Sequence, residues 1–591
     1  MKLSDLRPPI IAAIVLVIMF VVEVRSAAVE SPIIDEGVHL AAGLSYWRTG
    51  DFRLNPEHPP LIKLFSTWPL LFTTMTIPTN HPTWIAWNEW ELADYLLHNS
   101  PVSIEIVLRL ARVPIMLLSI ALGWLIYRAS SELFGRWAGV FSLVLYAFDP
   151  NIIAHSRYVT TDLGFTAFTF LSIYCLARLL QQPTILRAAI FGLALIAAGL
   201  SKFSGIALAV CIGLAIGLLK RLKPGLPALR GRMVGRWLLV WVPMAALLTW
   251  AIYGFDVRRP AEDPRISQLY SQREQLLKVT NPSTLPPLER FAVAQLGDRA
   301  RTIGAWLERG SQYPLPGYAF WRGFFAVLGH SFGGQESYLL GSYADRGWWY
   351  YFPVALIVKT PLPTLIGLTA ILMLAVATCW ARHRAGDAWR TIGAAIDIRI
   401  MLYTSIPTMF FLLSLGSNLN LGWRHIMPIY PFLFVLLGGL TRLPTPRTTV
   451  RWLIPSLLAS NLVLIQIAAY PNELGYFSEL IGGTRFGPRY LLDSNLDWGQ
   501  DLPKLAAYVR QHGLTQLPLA YYGRANLAHY LPVATTLPST DEIRQQGRPS
   551  GAVAISVGEL FRRDGRYRWL WSEHPNEIVG SSIYVYHLPS T

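Results

Sequence analysis

The feature that most constrains this chain is a series of about eleven long hydrophobic runs. Most of them approach the roughly 20 residues that a helix needs to cross the hydrocarbon core of a bilayer. The chain is 52% hydrophobic and only 15% charged, which is too apolar for a soluble protein of 591 residues. We therefore predict a polytopic α-helical membrane protein. The runs lie near 9–24, 106–127, 137–150, 162–180, 186–200, 203–219, 237–254, 351–378, 399–415, 425–440 and 452–470.

The first run permits two interpretations. Lys2 and Arg7 precede it and the small residues at 26–28 follow it, which is the layout of a cleavable signal peptide. The same layout suits a retained membrane anchor, which we favour. Either interpretation places the segment that follows outside the cytoplasm.

Short basic segments predict the orientation, because positively charged loops resist translocation. These segments are 220–236, 381–399 and 441–451, and we assign them to the cytoplasm together with the N-terminus. Arginines in 255–350 weigh weakly against this assignment, since long loops largely escape the charge rule. The predicted outer segments are 26–105, 151–161, 255–350, 416–424 and the tail after 471.

The net charge of +15 is then mainly a property of the cytoplasmic loops, with anionic lipid head groups as the counter-surface. No nucleic-acid motif is present in the sequence. Cys175, Cys211 and Cys379 all lie inside hydrophobic runs and offer neither a disulfide framework nor a zinc spacing. We interpret them as packing residues.

The composition changes after residue 470, which divides the chain into a membrane domain, 1–470, and a small α/β domain, 471–591. The segment 501–511 has a helical pattern. The segments 517–522, 552–557 and 578–586 have the β-branched and aromatic residues of strands.

Polar residues cluster at the predicted outer ends of the hydrophobic runs, whereas the middles of the runs stay apolar. A channel or an ion-coupled transporter places ionisable groups near the bilayer midplane. The pattern therefore favours chemistry at the outer membrane surface.

The first polar group is the pair Asp35-Glu36, just beyond the first run, followed by Tyr46 and His58. A carboxylate at the bilayer surface can serve as a general base for a hydroxyl. An acidic first turn also stabilises a helix start, predicted here over 36–48. From the pair alone, the helix start is the favoured interpretation.

Two further polar groups lie in short outer loops. Arg157 is suited to bidentate phosphate binding and Asp162 to orienting a hydroxyl, although a helix cap and a head-group contact explain them equally well. Arg424 and His425, with Lys202 on a tight turn, bring cations to the same face, as a phosphate leaving group requires. Each of them alone is more typical of a lipid contact.

Aromatic residues at 348–350, close to Glu336, suit stacking on sugar rings, and the alternative is an interfacial aromatic belt. The acids at 493–501 have the same ambiguity. They suit acceptor binding, and they also suit the cap of the first helix of the α/β domain.

The order of these motifs resembles the GT-C superfamily of glycosyltransferases over roughly 30–440. It is similar, more narrowly, to the protein O-mannosyltransferase branch and its bacterial relatives, which include the aminoarabinose transferases of lipid A. The segments 350–363 and 493–501 look like bacterial phospholipid-carrier-dependent glycosyltransferases. The motifs are Asp35-Glu36, Glu57-His58-Pro59-Pro60-Leu61, Arg157-Tyr158 with Thr161-Asp162, and Gly422-Trp423-Arg424-His425.

The resemblance implies transfer of a sugar, mannose or another hexose, from a polyprenyl-phosphate donor with inversion at the anomeric carbon. Asp35 would be the base, and Glu36 and Asp162 would position acceptor and donor. Arg157 and Arg424 would hold the phosphate, together with Lys202, His58 and His425. Tyr46, Glu336 and Asn420 would contact acceptor or sugar.

The resemblance has one departure, because His58 stands where the aminoarabinose transferases look to have lysine. A neutral imidazole binds phosphate less strongly, so the role of His58 is expected to depend on pH. We predict no cofactor. A divalent cation would be held only if Asp35, Glu36 and Asp162 converge.

Two other classes of function stay open: a transporter of a polyprenyl lipid or polysaccharide, and a non-catalytic membrane scaffold. Within the enzyme class the acceptor is a protein Ser or Thr, a lipid or a glycan. The expected location is a bacterial inner membrane, with the α/β domain on the extracytoplasmic side.

Overall fold

The computed structural model describes residues 3–226, 231–264, 309–442 and 448–589. The centre of the predicted outer loop 255–350 and Arg230 of the basic segment 220–236 lie outside the described residues.

Each of the eleven hydrophobic runs forms helix, which confirms the predicted fold class. The hydrocarbon core of a bilayer accommodates their apolar side chains but offers no hydrogen-bond partner to the backbone, and a helix satisfies its backbone polar groups internally. Seven described helices are long and apolar enough to span a membrane: Arg7–Ala27, Ile104–Phe134, Asp162–Gln181, Gly205–Leu222, Gly231–Ile252, Leu362–Arg384 and Arg451–Ala469. Five shorter apolar helices accompany them: Leu61–Phe72, Arg136–Ala147, Ile185–Ser201, Ile398–Ser414 and Met427–Arg442.

Two of the predicted runs are less regular than expected. The run 351–378 is split into helices Tyr351–Lys359 and Leu362–Arg384. Thr360 is extended because it precedes Pro361, and a residue before proline avoids the helical region. The run 425–440 consists of 3-10 turns around a short helix, Tyr430–Leu437.

Short helices and hairpins make up the predicted outer segments. Asp35 and Glu36 begin the first of these helices, which ends at Gly50 in the left-handed conformation that glycine tolerates. The helices are Ile34–Thr49, Leu61–Thr67, Pro82–Ile85, Glu89–His98, Pro150–His155 and Tyr318–Gly333. Two antiparallel hairpins pair β1 (Val257–Arg258) with β2 (Leu315–Pro316) and β3 (Ser337–Leu339) with β4 (Ser342–Ala344). Helix Trp389–Ala395 lies in a basic segment instead.

The C-terminal region is an α/β unit, as predicted. Its five-stranded sheet has the order β6-β5-β7-β9-β8, with β5 parallel to both neighbours and β9 antiparallel to both of its own. The strands are β5 Leu517–Ala520, β6 Ala534–Thr536, β7 Gly551–Ser556, β8 Glu577–Val579 and β9 Ile583–Leu588. The helices are Leu502–Gln511, Leu527–Tyr530, Thr540–Gln546 and Val557–Leu560.

Two features of the sheet differ from the sequence expectation. The run 578–586 is a hairpin of two strands and not one strand, because Gly580 turns the chain with a φ of 65°. Strand β6 was not predicted. The division of the chain at 470/471 stays a prediction.

The two ends of helix Ile104–Phe134 mark two faces of the molecule. At its start, Glu105 accepts a hydrogen bond from His529 of the C-terminal unit, which places that unit beside the first outer segment. At its end, Arg399 and Arg442 of the basic segments donate to the carbonyls of Glu132 and Phe134. The segments predicted to share a face therefore meet in space.

Candidate active site

Four of the predicted site residues meet at one point on the face that the sequence predicts to be the outer one. Arg424 Nη1 lies 2.8 Å from Asp35 Oδ2 and 3.5 Å from Asp162 Oδ2. Lys202 Nζ lies 2.6 Å from Asp162 Oδ1. We call Asp35, Asp162, Lys202 and Arg424 the outer cluster.

Each member of the outer cluster stands at the end of an element. Asp35 and Asp162 lie in the first turns of helices Ile34–Thr49 and Asp162–Gln181, where the helix dipole stabilises negative charge. Lys202 caps the end of helix Ile185–Ser201 with extended backbone. Arg424 lies in a short 3-10 turn, and its guanidinium is 4.3 Å from the centre of the Trp498 ring.

Exposure differs within the outer cluster. The side chain of Asp162 is only 2% exposed, that of Arg424 11% and that of Asp35 22%. Arg424 Nε is buried and has no hydrogen-bond partner among the described residues. Although burial lowers it, the carboxylates of Asp35 and Asp162 raise the pKa of Arg424 above its usual range. The cluster therefore presents a charged guanidinium with spare donor capacity beside an accessible carboxylate.

A cavity of about 160 Å³ opens at the outer cluster, and we call it the carrier cavity. Lys202, Arg424, His425 and Asp162 form its polar end. Its remaining wall is mainly apolar and includes Phe165, Ala207, Phe352, Phe410 and Leu413. This shape suits a ligand with an anionic head and a hydrocarbon tail.

His425 lines the carrier cavity, whereas His58 does not and lies against His39, with 5.4 Å between the ring centres. Burial lowers the pKa of His58 and of His425 well below the usual value, and the neighbouring charge of Lys202 lowers both further. A neutral imidazole still donates one hydrogen bond. The pH dependence expected of His58 near neutrality therefore finds no support, since its titration is displaced to acid.

The structure does not bring Arg157 to the outer cluster. Its side chain is fully buried, with Glu30 accepting from Nε at 2.8 Å and Nη2 at 2.6 Å and Glu473 lying 3.1 Å from Nη2. Its Nη1 donates to the carbonyl of Ile153. Arg157 is thus bonded in the interior and is not placed to bind the phosphate that the sequence expectation gave it.

Glu36 is likewise placed in the interior. Arg112 donates to both of its carboxylate oxygens, at 2.8 and 2.6 Å, and the backbone N–H groups of Ile33 and Val159 donate to them as well. These bonds fix the start of the helix and leave no room for a substrate. The helix-start interpretation therefore describes Glu36, whereas Asp35 points to the outer cluster.

Tyr46 also faces the interior. Its hydroxyl donates to the carbonyl of Leu54 at 2.5 Å and accepts from Lys63 Nζ at 2.9 Å. Its ring stacks on Phe52, with 4.5 Å between the ring centres. Tyr46 is therefore not placed to contact an acceptor or a sugar.

Glu336 and Asn420 line a second cavity, of about 320 Å³, on the C-terminal side of the outer cluster. Asp493, one of the acids at 493–501 that suit acceptor binding, lies in its wall. Burial and the charge of Asp35 raise the pKa of Asp493 to about 6, while Arg424 acts in the opposite direction. The segment of Asp493 packs on the loop of Arg424, since Ser494 Oγ donates to the carbonyl of Leu421 at 2.6 Å.

The described residues contain no group of three or more His, Cys, Asp or Glu side chains placed to hold a metal ion. Asp35, Glu36 and Asp162 do not converge, because Glu36 is paired with Arg112. The expectation of no cofactor stays a prediction.

A polytopic helical fold with a carboxylate–arginine cluster on its outer face is the arrangement expected of a GT-C glycosyltransferase. Residues 104–250, about a quarter of the chain, match the family model described as dolichyl-phosphate-mannose-protein mannosyltransferase. The match confirms the resemblance to the protein O-mannosyltransferase group of the GT-C superfamily. It supports a membrane glycosyltransferase with a polyprenyl-phosphate-linked donor.

Solved structures of two membrane transferases are similar to this chain. ArnT from Cupriavidus metallidurans bound to undecaprenyl phosphate is 14% identical, with 97% of each chain covered and a TM-score of 0.44. AglB, the oligosaccharyltransferase of the archaeon Archaeoglobus fulgidus, in complex with an inhibitory peptide and a dolichol-phosphate, is 11% identical, with 93% of this chain and 69% of that chain covered and a TM-score of 0.44. No curated protein matches significantly.

Proposed function

We propose that this protein transfers a hexose, mannose or another, from a polyprenyl-phosphate donor to an acceptor hydroxyl on the extracytoplasmic face, with inversion at the anomeric carbon. The observation that carries the proposal is the outer cluster. Arg424 and Lys202 form the polar end of a cavity with a mainly apolar wall, and Arg424 is bonded to a partly exposed carboxylate, Asp35.

The carrier cavity suits a prenyl phosphate. Arg424 and Lys202 bind the phosphate oxygens by charge-assisted hydrogen bonds, and the neutral ring of His425 donates a further bond. The apolar wall takes the first isoprene units. Asp162 holds both cations in place, since one carboxylate oxygen faces each of them.

Donor binding also frees the base. Without donor, Asp35 accepts a hydrogen bond from Arg424 Nη1 at 2.8 Å. The phosphate oxygens of the donor compete for the same guanidinium, whose Nε has no partner among the described residues. When the phosphate of the donor replaces the carboxylate of Asp35 on Arg424, Asp35 is free to accept the proton of an incoming hydroxyl.

The transfer is a single displacement. The acceptor oxygen attacks the anomeric carbon on the face opposite the phosphate, and its proton passes to Asp35. The bond from that carbon to the phosphate oxygen breaks, and the electron pair leaves with the polyprenyl phosphate. Arg424 and Lys202 stabilise the charge that develops there. Inversion follows from the single displacement, and a positioned base typically contributes about 10²–10⁴-fold.

The proposed orientation has the N-terminus in the cytoplasm of a bacterial cell and the C-terminal unit outside the inner membrane. Two features support it. The basic segments lie at one end of helix Ile104–Phe134, and the outer cluster lies near its other end, where Arg112 binds Glu36 beside Asp35.

The experiment is transfer of radiolabelled sugar by purified protein in lipid, from a panel of polyprenyl-phosphate hexoses, with cell-envelope extract as acceptor. Wild type is compared with Asp35→Asn and with the matched control Asp51→Asn. Asp51 is also a carboxylate paired with arginines, Arg53 and Arg258, and lies outside the outer cluster. We expect wild type and Asp51→Asn to turn over one donor, whereas Asp35→Asn loses about 10²–10⁴-fold and still binds the donor.

Two results would overturn the proposal. Normal turnover by Asp35→Asn removes Asp35 as the base. No transfer and no donor hydrolysis by folded wild type, with any donor, removes the reaction itself and favours a transporter or a scaffold.

A further inference from the structure

The second cavity lies between three parts of the chain that are far apart in sequence. The hairpin of β3 and β4 forms one wall, the loop at Asn420 and the segment at Asp493 form the floor, and the C-terminal unit forms the opposite wall with Tyr522, Glu559 and Arg562. Resting on the proposed function, we infer that this cavity binds a saccharide and that the acceptor hydroxyl belongs to a sugar. We call it the saccharide cavity.

The lining has the chemistry that recognises a sugar ring. Four tyrosines, at 338, 343, 351 and 522, supply flat apolar rings for the C–H faces of a sugar. The carboxylates of Glu336, Asp493 and Glu559 line the same space and are hydrogen-bond acceptors for hydroxyl groups. The amide of Asn420 is bonded to the backbone of Trp348 and Ser417 and holds the wall in place. A few polar groups among aromatic walls are typical of small-ligand sites.

Two of these tyrosines are held rigidly. The Tyr338 hydroxyl donates to the carbonyl of Pro488 at 2.7 Å, and the Tyr343 hydroxyl donates to the carbonyl of Phe561 at 2.9 Å. Their rings meet edge to face, with 5.1 Å between the centres. The wall is therefore formed before a ligand arrives, which lowers the entropic cost of binding.

The charges in the saccharide cavity are largely balanced. Glu336 pairs with Arg563 at 3.1 Å, and Glu559 pairs with Arg562 at 3.3 Å. A balanced lining disfavours a strongly anionic or cationic ligand and suits a neutral polyol. The volume of about 320 Å³ lies near the lower end of the roughly 300–1,000 Å³ of small-molecule sites, which suits a short saccharide better than an extended peptide.

The saccharide cavity reaches the reacting atoms through Asp493. The segment of Asp493 is bonded to the loop of Arg424, because Ser494 Oγ donates to the carbonyl of Leu421 at 2.6 Å and the backbone N–H of Trp423 donates to Asn495 Oδ1 at 2.9 Å. The carrier cavity and the saccharide cavity share no lining residue among those described, and Arg424 and Asn420 lie on one loop between them. A sugar ring in the saccharide cavity and a carrier phosphate thus reach the outer cluster from two different cavities, as a single displacement between two bound substrates requires.

Asp493 is the positioning residue of this subsite. Its backbone has a φ of 56°, in the left-handed region where aspartate is enriched among non-glycine residues. Its Oδ1 accepts from the backbone N–H of Ser494 at 2.7 Å. The conformation turns the carboxylate into the cavity wall, where it receives a hydroxyl of the acceptor sugar.

The test measures steady-state transfer from the polyprenyl-phosphate hexose that wild type uses. The acceptors are a panel of methyl glycosides and short neutral oligosaccharides and, separately, a panel of peptides with Ser and Thr. The variants are Glu559→Gln and Tyr522→Phe, and the matched control is Glu573→Gln, which pairs with Arg548 outside the cavity. Tyr522→Phe keeps the ring and removes the hydroxyl that hydrogen-bonds to the carboxylate of Asp493, so the test stands if Glu559→Gln fails to fold.

We expect a saccharide to accept the sugar. Glu559→Gln and Tyr522→Phe should each raise the KM for that saccharide about tenfold, equivalent to about 1.4 kcal/mol. The KM for the donor and slow donor hydrolysis without acceptor should match wild type, and Glu573→Gln should match wild type throughout.

Three results would overturn the inference. If the variants raise the KM for the donor and slow its hydrolysis, the cavity holds the sugar of the donor. If peptides accept the sugar and saccharides do not, the acceptor is a protein. If donor hydrolysis that depends on Asp35 persists and no saccharide is accepted, this inference fails while the proposed function stands.

Discussion

Two arginine clusters lie beyond the outer ends of the membrane helices, and they differ in how completely they are bonded. Arg157 is fully buried, and each of its three nitrogens donates to an oxygen of Glu30 or Ile153. Arg424 keeps one nitrogen without a partner among the described residues, and its carboxylate partner Asp35 is 22% exposed. We call the fully bonded ion pair of Arg157 closed, and the partly bonded ion pair of Arg424 open.

The difference separates a structural ion pair from a site. In a closed pair, the bonds between the partners offset the cost of removing their charges from water, and the partners are not available to a ligand. It joins the start of the first outer segment, at Glu30, to the loop before helix Asp162–Gln181 and to Glu473. An open pair can exchange one anion for another, which is what the binding of a phosphate requires.

Loss of the closed arginine should have the largest effect. Arg157→Ala leaves the carboxylates of Glu30 and Glu473 buried without their cation, and removal of one partner of a buried pair costs about 3–5 kcal/mol. We expect a large fall in Tm for purified protein in detergent. The control is Arg524→Ala, whose partly exposed pair with Asp94 is worth at most about 1 kcal/mol. An unchanged Tm together with loss of donor binding would instead make Arg157 a phosphate ligand.

Loss of the open arginine should act on catalysis. Arg424→Ala removes the donor that stabilises the leaving phosphate, and we expect a fall of about 10²–10³-fold in the transfer rate. The Tm should change much less than in Arg157→Ala. Unchanged donor affinity and rate in steady-state assays would remove Arg424 from the site.

The second cation of the outer cluster should matter less. Lys202→Met keeps most of the side-chain volume and removes one charged donor, which is worth about 1.5–3 kcal/mol. We expect the KM for the donor to rise by about tenfold or more, measured at saturating acceptor. Lys504→Met is the matched control, because Lys504 pairs with Asp501 in the C-terminal unit. Equal effects of the two substitutions would contradict a specific role for Lys202.

Two buried carboxylates of the C-terminal unit, Asp497 and Asp501, also differ in how they are bonded. Burial raises the pKa of Asp497 to about 8, and backbone N–H groups of Gly558 and Gly499 oppose the shift. For Asp501, burial is outweighed by Lys504, 2.8 Å away, and the pKa is lowered. Asp497 therefore keeps its proton near neutral pH, and Asp501 does not.

This difference predicts how stability depends on pH. The folded state holds a proton on Asp497 that the unfolded chain releases near the ordinary aspartate pKa of 3.8, so its contribution falls as pH rises from about 4 to about 8. The slope is at most about 1.4 kcal/mol per pH unit. Asp497→Asn should flatten that part of the Tm profile. Asp501→Asn should instead change the Tm at acidic pH, because the pKa of Asp501 is lowered. An unchanged profile for Asp497→Asn would contradict the raised pKa.

Much of the fold follows from the sequence alone, because about 20 apolar residues in a row have few alternatives in a bilayer. The points at which a predicted helix or strand is interrupted were less predictable. Pro361 splits one run, and Gly580 turns a predicted strand into a hairpin. Both residues are visible in the sequence, but neither shows on its own whether the chain bends gently or reverses.

The site was predictable in part. Asp35, Asp162, Lys202 and Arg424 meet as the motif order implies, although Asp35 and Arg424 are 389 residues apart. Arg157 and Glu36 look just as suitable in the sequence. Their partners, Glu30 and Arg112, are 127 and 76 residues away, and local patterns carry no information about such pairing. The acids at 493–501 were assigned to acceptor binding or to a helix cap, and the sequence could not separate Asp493 from the others, because its position depends on how this segment packs on the loop of Arg424.

The central claim is that the phosphate of the carrier replaces Asp35 on Arg424. The most direct measurement is the affinity of polyprenyl phosphate for wild type, Asp35→Asn and Arg424→Ala in nanodiscs, with the fluorescence of Trp498 beneath Arg424 among the reporters. We predict that Asp35→Asn binds at least as tightly as wild type, because a competing anion is removed, and that Arg424→Ala binds about tenfold more weakly or worse. Equal weakening by both substitutions, or no weakening by Arg424→Ala, would contradict the account.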